Sequence, residues 1–289
     1  MSRATSRAPS SRSPTPRSTA STSATILSDH PIAARWREVR GEGRAALIPY
    51  LTAGFPTPGA SLDALRLAEA AGADVVEVGV PFSDPLADGP TIQRSTQAAL
   101  EQGMTTGGVL QQIHDARLRV PVVIMTYLNP VLAYGLERFL RDAHAAGASG
   151  LLLTDFPAGA DPTLERAVAA SPVALIRLIA PTTTDERLAG AVRGASGFIY
   201  LISRLGVTGA RDRIPPDLAE QVARVRAVTA LPIAAGFGIS TAAQVRAAAR
   251  AADGVVVGSA LVDVLATAGL AAGERLLREF ARAVRERDP

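Results

Sequence analysis

The stretch A73-DVVEVGVPFSDPLADGP-90 changes character abruptly. Residues 73–80 alternate around β-branched positions and read as a strand, whereas Pro81, Pro85, Gly89 and Pro90 break any regular element after it. An apolar strand that runs straight into a loop carrying Asp84 and Asp88 raises the question of what kind of sheet ends there.

Seven further runs answer it. ALIPYLTA (46–53), PVVIMTY (121–127), GLLLTDF (150–156), VALIRLIA (173–180), GFIYLIS (197–203), LPIAAGF (231–237) and DGVVVGS (253–259) have the same β-branched, apolar composition. Between them lie segments of helical period: SLDALRLAEAAG, LERFLRDAHAAG, TDERLAGAVRG, TAAQVRAAARAA and GERLLREFARAVRER, several ending at the glycine that a helix C-cap favours. Strand followed by helix, eight times over about 250 residues, predicts an α/β fold with a single (β/α)8 TIM barrel. The spacing is uneven after strand two, where 81–120 holds an elongated loop and an additional helix, and after strand six, where a mobile loop is expected. An open doubly wound sheet is the alternative. It would carry a glycine fingerprint after its first strand, where this chain has GFPTPG.

Composition removes whole classes of chemistry. The 289 residues include no cysteine, so disulfides and thiolate metal sites are excluded. All thirty basic residues are arginine, which leaves no amine for a Schiff base and no Walker lysine. No apolar run is long enough to span a bilayer. Residues 1–28 are Ser/Thr/Pro/Arg-rich with four arginines and no acid, and are expected to be a disordered tail before a catalytic barrel spanning 29–289. The tail reads either as an inert extension, with the protein cytoplasmic, or as an organelle-targeting sequence. Taking its four charges from the net +3 leaves the rest of the chain at −1, which does not suggest a nucleic-acid or membrane surface.

Two glycine clusters follow the last two strands, GFGIS at 236–240 and GSA at 258–260. Gly238 and Gly258 let backbone amides approach a ligand, and Ser259 can open a short helix whose first amides are unpaired, a phosphate cradle that needs no cation. Tight βα turns are the alternative reading. GVTG, 206–209, is a third candidate contributor. Within V75-VEVGV-80, Val76 and Val78 facing the helices would turn Glu77 into the barrel, where desolvation favours a protonated acid; a structural carboxylate is the alternative. Asp88 lies on the following loop, as a second acid or as an Asx turn before Gly89-Pro90. His30 adjoins the tail, and His114 and His144 sit in helical stretches on the barrel's outside, so no metal site is expected. The residues themselves reach a phosphorylated substrate and carboxylate acid/base chemistry, not the reaction.

The string E77-VGVPFSDPLADGP-90, with Y200-LISRLGVTG-209, GFGIS, MTYLNP (125–130) and LLLTDFP (151–157), closely resembles the tryptophan synthase alpha chain family over about residues 32–289. The resemblance implies aldol cleavage of indole-3-glycerol phosphate to indole and glyceraldehyde 3-phosphate. It implies Glu77 as catalytic acid/base and Asp88 as the acceptor of the indole N–H. Tyr200, Tyr127, Thr154 and Thr208 match substrate-positioning residues, Thr208 being the one that bonds the aspartate when the lid closes. Gly209, Gly238, Gly258 and Ser259 match phosphate-binding positions. It further implies a beta chain as partner in an alpha2beta2 assembly, with Asp84, Pro85 and Asn129 at the interface, no cofactor in this chain and pyridoxal phosphate in the partner. A phosphate-binding epimerase, an indole-glycerol-phosphate-forming synthase and a non-catalytic barrel are the competing readings; the first usually wants metal-binding histidines and the second a lysine.

Overall fold

The computed structural model describes residues 30–202, 215–236 and 238–286. The tail, 1–28, and GVTG, with Thr208 and Gly209, lie outside the described residues. Eight parallel strands form one closed barrel in chain order: β1 (Ala46–Thr52), β2 (Val76–Gly79), β3 (Val122–Thr126), β4 (Ala148–Leu153), β5 (Ala174–Ile179), β6 (Ile199–Ile202), β7 (Ile233–Gly236) and β8 (Gly254–Val257). The ring closes where Ala46 to Pro49 of β1 pair with Gly254 to Val257 of β8.

The period-2 alternation then divides every strand into two faces. Val76, Val78, Leu151, Leu175, Ile199 and Val255 pack outward with the helices in one buried cluster. Ile48, Val75, Val123, Leu152, Ile176 and Val256 fill the interior in another. Glu77 belongs to the inward set, only 1% exposed, as the alternation predicted.

Helices cover the outside: α2 (Pro58–Ala70), α3 (Pro90–Glu101), α4 (Thr106–Ala116), α6 (Leu136–Ala146), α7 (Pro162–Ala169), α8 (Asp185–Ala191), α9 (Leu218–Arg226), α10 (Ala242–Ala251) and α11 (Ser259–Ala283). The expected additional helix after β2 is present, since both α3 and α4 precede β3. Two elements were not legible in the sequence. α5 (Leu128–Tyr134) is a seven-residue helix inserted after β3, too short for a periodic signal. α1 (Pro31–Gly41) precedes the barrel; it starts at Pro31, and the His30 ring accepts a hydrogen bond from the Ile32 amide at 3.3 Å.

Although α1 is rich in arginine, Ile32, Trp36 and Val39 recur on one face, and that face plugs the N-terminal end of the barrel. Trp36 meets Phe198 at 5.6 Å between ring centroids. The plug needs small residues opposite it. A Cβ at Gly254 would stand 2.6 Å from Trp36, and one at Gly150 2.9 Å from Ile32.

The same end is laced by side chains that precede one strand and accept from the first amides of another. Asp74, fully buried, takes the Leu47 amide at 2.9 Å, two nitrogens of Arg44 at 2.6 and 2.8 Å, and Arg35 at 2.7 Å. Asp253 takes the Ile233 amide and Arg226, each at 2.8 Å. Arginine suits these positions because its planar fork reaches two acceptors at once.

Removing one partner of such a buried network leaves the other charge unpaired. Asp74→Asn is therefore expected to lower the unfolding free energy by about 3–5 kcal/mol, measured by guanidinium titration.

Candidate active site

At the C-terminal end of the barrel the interior changes from aliphatic to polar. Glu77 on β2 is paired in register with Tyr50 of β1 and Val123 of β3. Tyr200 enters from β6. Both tyrosines are 6% exposed. Each is admitted by a glycine: a Cβ at Gly79 would overlap the Tyr50 hydroxyl, and one at Gly236 that of Tyr200. The Tyr50 hydroxyl is drawn into a side network, accepting from Thr52 at 3.3 Å, while Thr52 and Ser95 share a 2.7 Å hydrogen bond and Ser95 donates to the Ile92 carbonyl.

No such partner reaches Glu77. Among the described residues neither of its carboxylate oxygens has a hydrogen-bond partner. Burial, reinforced by the negative charge of Asp88, pushes its carboxyl up to about 8. A buried acid without a donor stays protonated at neutral pH and has a proton to give.

Asp88 is held differently. The loop after β2 turns back on itself, with the Leu86 amide bonded to the Asp84 carbonyl at 2.9 Å and the Asp88 amide to that of Pro85 at 3.1 Å. Tyr127, the N-cap residue of α5, reaches up to this turn. Its hydroxyl accepts the Ala87 amide at 2.9 Å and stands beside the side chains of Asp88 and Thr154. Phe82 packs on the Tyr127 ring with centroids 5.1 Å apart. Burial raises the Asp88 carboxyl to about 6, and the Tyr127 hydroxyl moderates the rise. The two acids are thus separated in proton affinity: between pH 6 and 8 one is mainly ionised and the other mainly neutral.

The glycine clusters lie beside this pocket but are not equivalent. Gly238 has φ +73°, with open space where a side chain would stand. The helix after it, α10, satisfies its own N-terminus with a capping box between Thr241 and Gln244. Gly258 adjoins Tyr50, and α11 begins at Ser259 with no side-chain cap. Its free first amides and dipole make it the better anion acceptor. α11 is two helical segments divided at Gly269, where φ is +76°, so the one that Ser259 opens is short and the second runs on to Ala283.

The structure thus brings Glu77, Asp88, Tyr127, Thr154 and Tyr200 to one mouth, with Gly238, Gly258 and Ser259 on the side of β7 and β8. Asp84 and Pro85 lie on the loop, where their carbonyls shape the turn that carries Asp88, and Asn129 lies in α5. Sequence reading missed Tyr50, because an aromatic residue in a strand looks like core. It also missed Asp155, whose carboxylate accepts the Leu128 amide at 2.8 Å and so fixes the start of α5. Leu86, 95% exposed on the loop, was missed as well, although an apolar residue within a polar turn was the signal for it. His30 caps α1 with its Nε2 facing the Pro172 carbonyl, and His114 and His144 are exposed on α4 and α6. No group of three or more metal-ligating side chains occurs among the described residues.

Known proteins have this chain in common form. A model of the family described as tryptophan synthase alpha chain matches residues 36–286. The tryptophan synthase alpha chain of Nitratidesulfovibrio vulgaris is 45% identical over 240 residues, which is 82% of this chain and 93% of that one. That of Acidiphilium cryptum is 48% identical over 242 residues, 83% and 87% of the two chains. A chain in a structure of Mycobacterium tuberculosis tryptophan synthase superposes with a TM-score of 0.83 at 41% identity, covering 88% of this chain and 98% of that chain.

The isolated acid has a consequence for stability. Because the folded Glu77 carboxyl is raised above its unfolded value of 4.5 to about 8, the folded state holds the proton more tightly, and stability falls as pH climbs through that window. Glu77→Gln cannot ionise, so its unfolding free energy should gain on the wild type by about 3–5 kcal/mol between pH 5 and pH 8.5, read from paired urea titrations.

Proposed function

This chain belongs to the tryptophan synthase alpha chain family, and we propose that Glu77 is its catalytic acid/base and Asp88 the group that takes the indole N–H. The chain is a carbon–carbon lyase of tryptophan biosynthesis, and its reaction is the aldol cleavage of indole-3-glycerol phosphate. The observation that carries the residue roles is the contrast between two carboxyls at one mouth, Glu77 buried with no hydrogen-bond partner among the described residues and Asp88 half-buried beside the Tyr127 hydroxyl.

Cleavage asks for two proton movements and one stabilised charge. Protonated Glu77 delivers its proton to indole C3, which leaves the ring cationic, and ionised Asp88 accepts the ring N–H and offsets that charge. The side-chain hydroxyl next to the ring then loses its proton to the Glu77 carboxylate. The C3–carbon bond breaks, its electron pair restores the aromatic ring, and the former carbinol leaves as the aldehyde of glyceraldehyde 3-phosphate. One proton enters and one leaves, so Glu77 ends as it began. Neutral Glu77 and ionised Asp88 coexist between pH 6 and 8, which supports this division. Tyr127, Thr154 and Tyr200 border the space that the indole would occupy, and Gly238, Gly258 and Ser259 would take the phosphate, with the α11 terminus supplying the field. Thr208 and Gly209 would complete the lid and the cradle from the loop after β6.

The family pairs its alpha chain with a beta chain, and for this protein we place an alpha2beta2 assembly, with pyridoxal phosphate in the partner, as the matching proposal. Asp84, Pro85 and Asn129 would contact it. Leu86 at 95% and Leu132 at 47% exposure add apolar surface on the same loop and on α5. Among the described residues no helix is long and apolar enough to cross a membrane, compatible with a cytoplasmic enzyme.

The test is indole release from indole-3-glycerol phosphate by the full chain, with and without a beta chain. Glu77→Gln should lower kcat about 1,000-fold while KM changes little; a rate within threefold of wild type would refute the acid. The wild-type profile of kcat/KM against pH should be bell-shaped, rising through about 6 as Asp88 ionises and falling through about 8 as Glu77 does.

A further inference from the structure

Arg177 is out of place by every rule that governs its neighbours. It lies in β5 between Ile176 and Leu178, which face the barrel interior, so its side chain emerges on the helix side, where Leu175 and Ile179 pack in the apolar cluster. It is 3% exposed. Burial lowers its proton affinity, and a guanidinium in such a place persists only if it is well bonded.

Two of its three bonds tie one loop, directly or through a carboxylate. Nη1 donates to the Phe156 carbonyl at 2.9 Å, Nη2 to the Glu165 carboxylate and Nε to the Arg193 carbonyl at 3.3 Å, and the guanidinium rides over the Phe156 ring at 5.3 Å. Glu165, in the first turn of α7, uses the same carboxylate oxygen to take the Gly159 amide at 2.8 Å. The connection 154–161 between β4 and α7 is therefore tied at Phe156 and at Gly159 to a single buried cation.

That connection carries two residues facing the site. Thr154 continues the β3–β4 ladder, its amide and its hydroxyl both donating to the Thr126 carbonyl, at 3.0 and 3.3 Å, with the hydroxyl beside that of Tyr127. Asp155 holds the Leu128 amide, the next residue along from Tyr127. Tyr127 in turn holds the amide of Ala87, the residue before Asp88, and its hydroxyl stands beside the Asp88 carboxylate. Contacts and chain neighbours thus link β5 to the acid on the other side of the mouth: Arg177 bonds Phe156, the chain leads from there to Asp155 and Thr154, Asp155 bonds Leu128, and Tyr127 before it stands beside Thr154 and Asp88.

We propose that Arg177 is a positioning residue for the reaction, bracing the β4–α7 loop so that Thr154 and Asp155 hold Tyr127 where it sets Asp88. This rests on the reading of Asp88 as the group at the indole N–H. A role confined to stability is the simple alternative, and a double-mutant cycle separates the two.

Arg177→Met, Tyr127→Phe and the double variant are compared in the full chain with its beta partner, by kcat, KM and unfolding free energy, with Asp88→Asn as reference. Arg177→Met should lower kcat/KM about 10-fold, mostly in kcat, and displace the acidic limb of the pH profile. In the Tyr127→Phe background the same substitution should change kcat/KM less than twofold, while its effect on stability is the same in both backgrounds. An equal loss of turnover in both backgrounds, or an unmoved acidic limb, overturns the brace. Should Arg177→Met not fold, Glu165→Gln loosens the same brace from the partly exposed side, and the cycle is read with it by the same criterion. If Asp88→Asn turns over like wild type, the role of Asp88 falls and the proposal with it; if Asp88→Asn is inactive and the cycle additive, the brace alone falls.

Discussion

Closure of the parallel sheet is the constraint on which the rest of the structure depends. Once β1 pairs with β8, no strand has an edge and each residue faces either the helices or the interior. Alternation alone then carries Glu77 inward, out of water, between strands whose backbones are already saturated with hydrogen bonds. Its neighbours on that face are Tyr50 and Tyr200, admitted by Gly79 and Gly236. What a barrel interior offers a carboxyl is crowding without donors, and that is what raises its affinity for a proton.

The two ends of the barrel treat charge in opposite ways. At the N-terminal end Asp74 receives donors from Arg35, Arg44 and the Leu47 amide, so its charge is fully compensated and serves stability. At the C-terminal end Glu77 has none among the described residues, so ionising it costs free energy, and that cost suits it to the acid's role proposed for it. Between these extremes stands Asp88, buried enough to be raised to about 6 yet beside the Tyr127 hydroxyl. Three carboxyls of ordinary intrinsic acidity acquire three behaviours from their donors.

A chain whose basic side chains are all arginine has consequences beyond the loss of amine chemistry. Arg44 and Arg177 are both nearly buried, each spreading its fork over a carboxylate and a backbone carbonyl, which a single ammonium would not match. One closes the floor of the barrel and the other fixes a loop at its mouth. At the proposed anion site, α11 presents uncapped amides where α10 has consumed its own.

The eight strands, their order and the face of Glu77 were readable because a two-residue period is local and survives in any window of a few residues. The Gly/Pro loop after β2 and the glycines at 238 and 258 were readable for the same reason, since such residues mark where the backbone turns. α1 was hidden, because its arginines mask an apolar face that exists only against the barrel floor, and α5 because seven residues hold too few turns to show a period. What the sequence by itself determined was the alternation, the break and the chemistry that lysine and cysteine could not supply. Only the tertiary structure decided that Tyr127 reaches back to Asp88, that Asp155 anchors the start of α5 and that Arg177 ties the loop between them. Those contacts join residues tens of positions apart, and proton affinity follows the desolvation and donors that such distant groups impose, which no local pattern records.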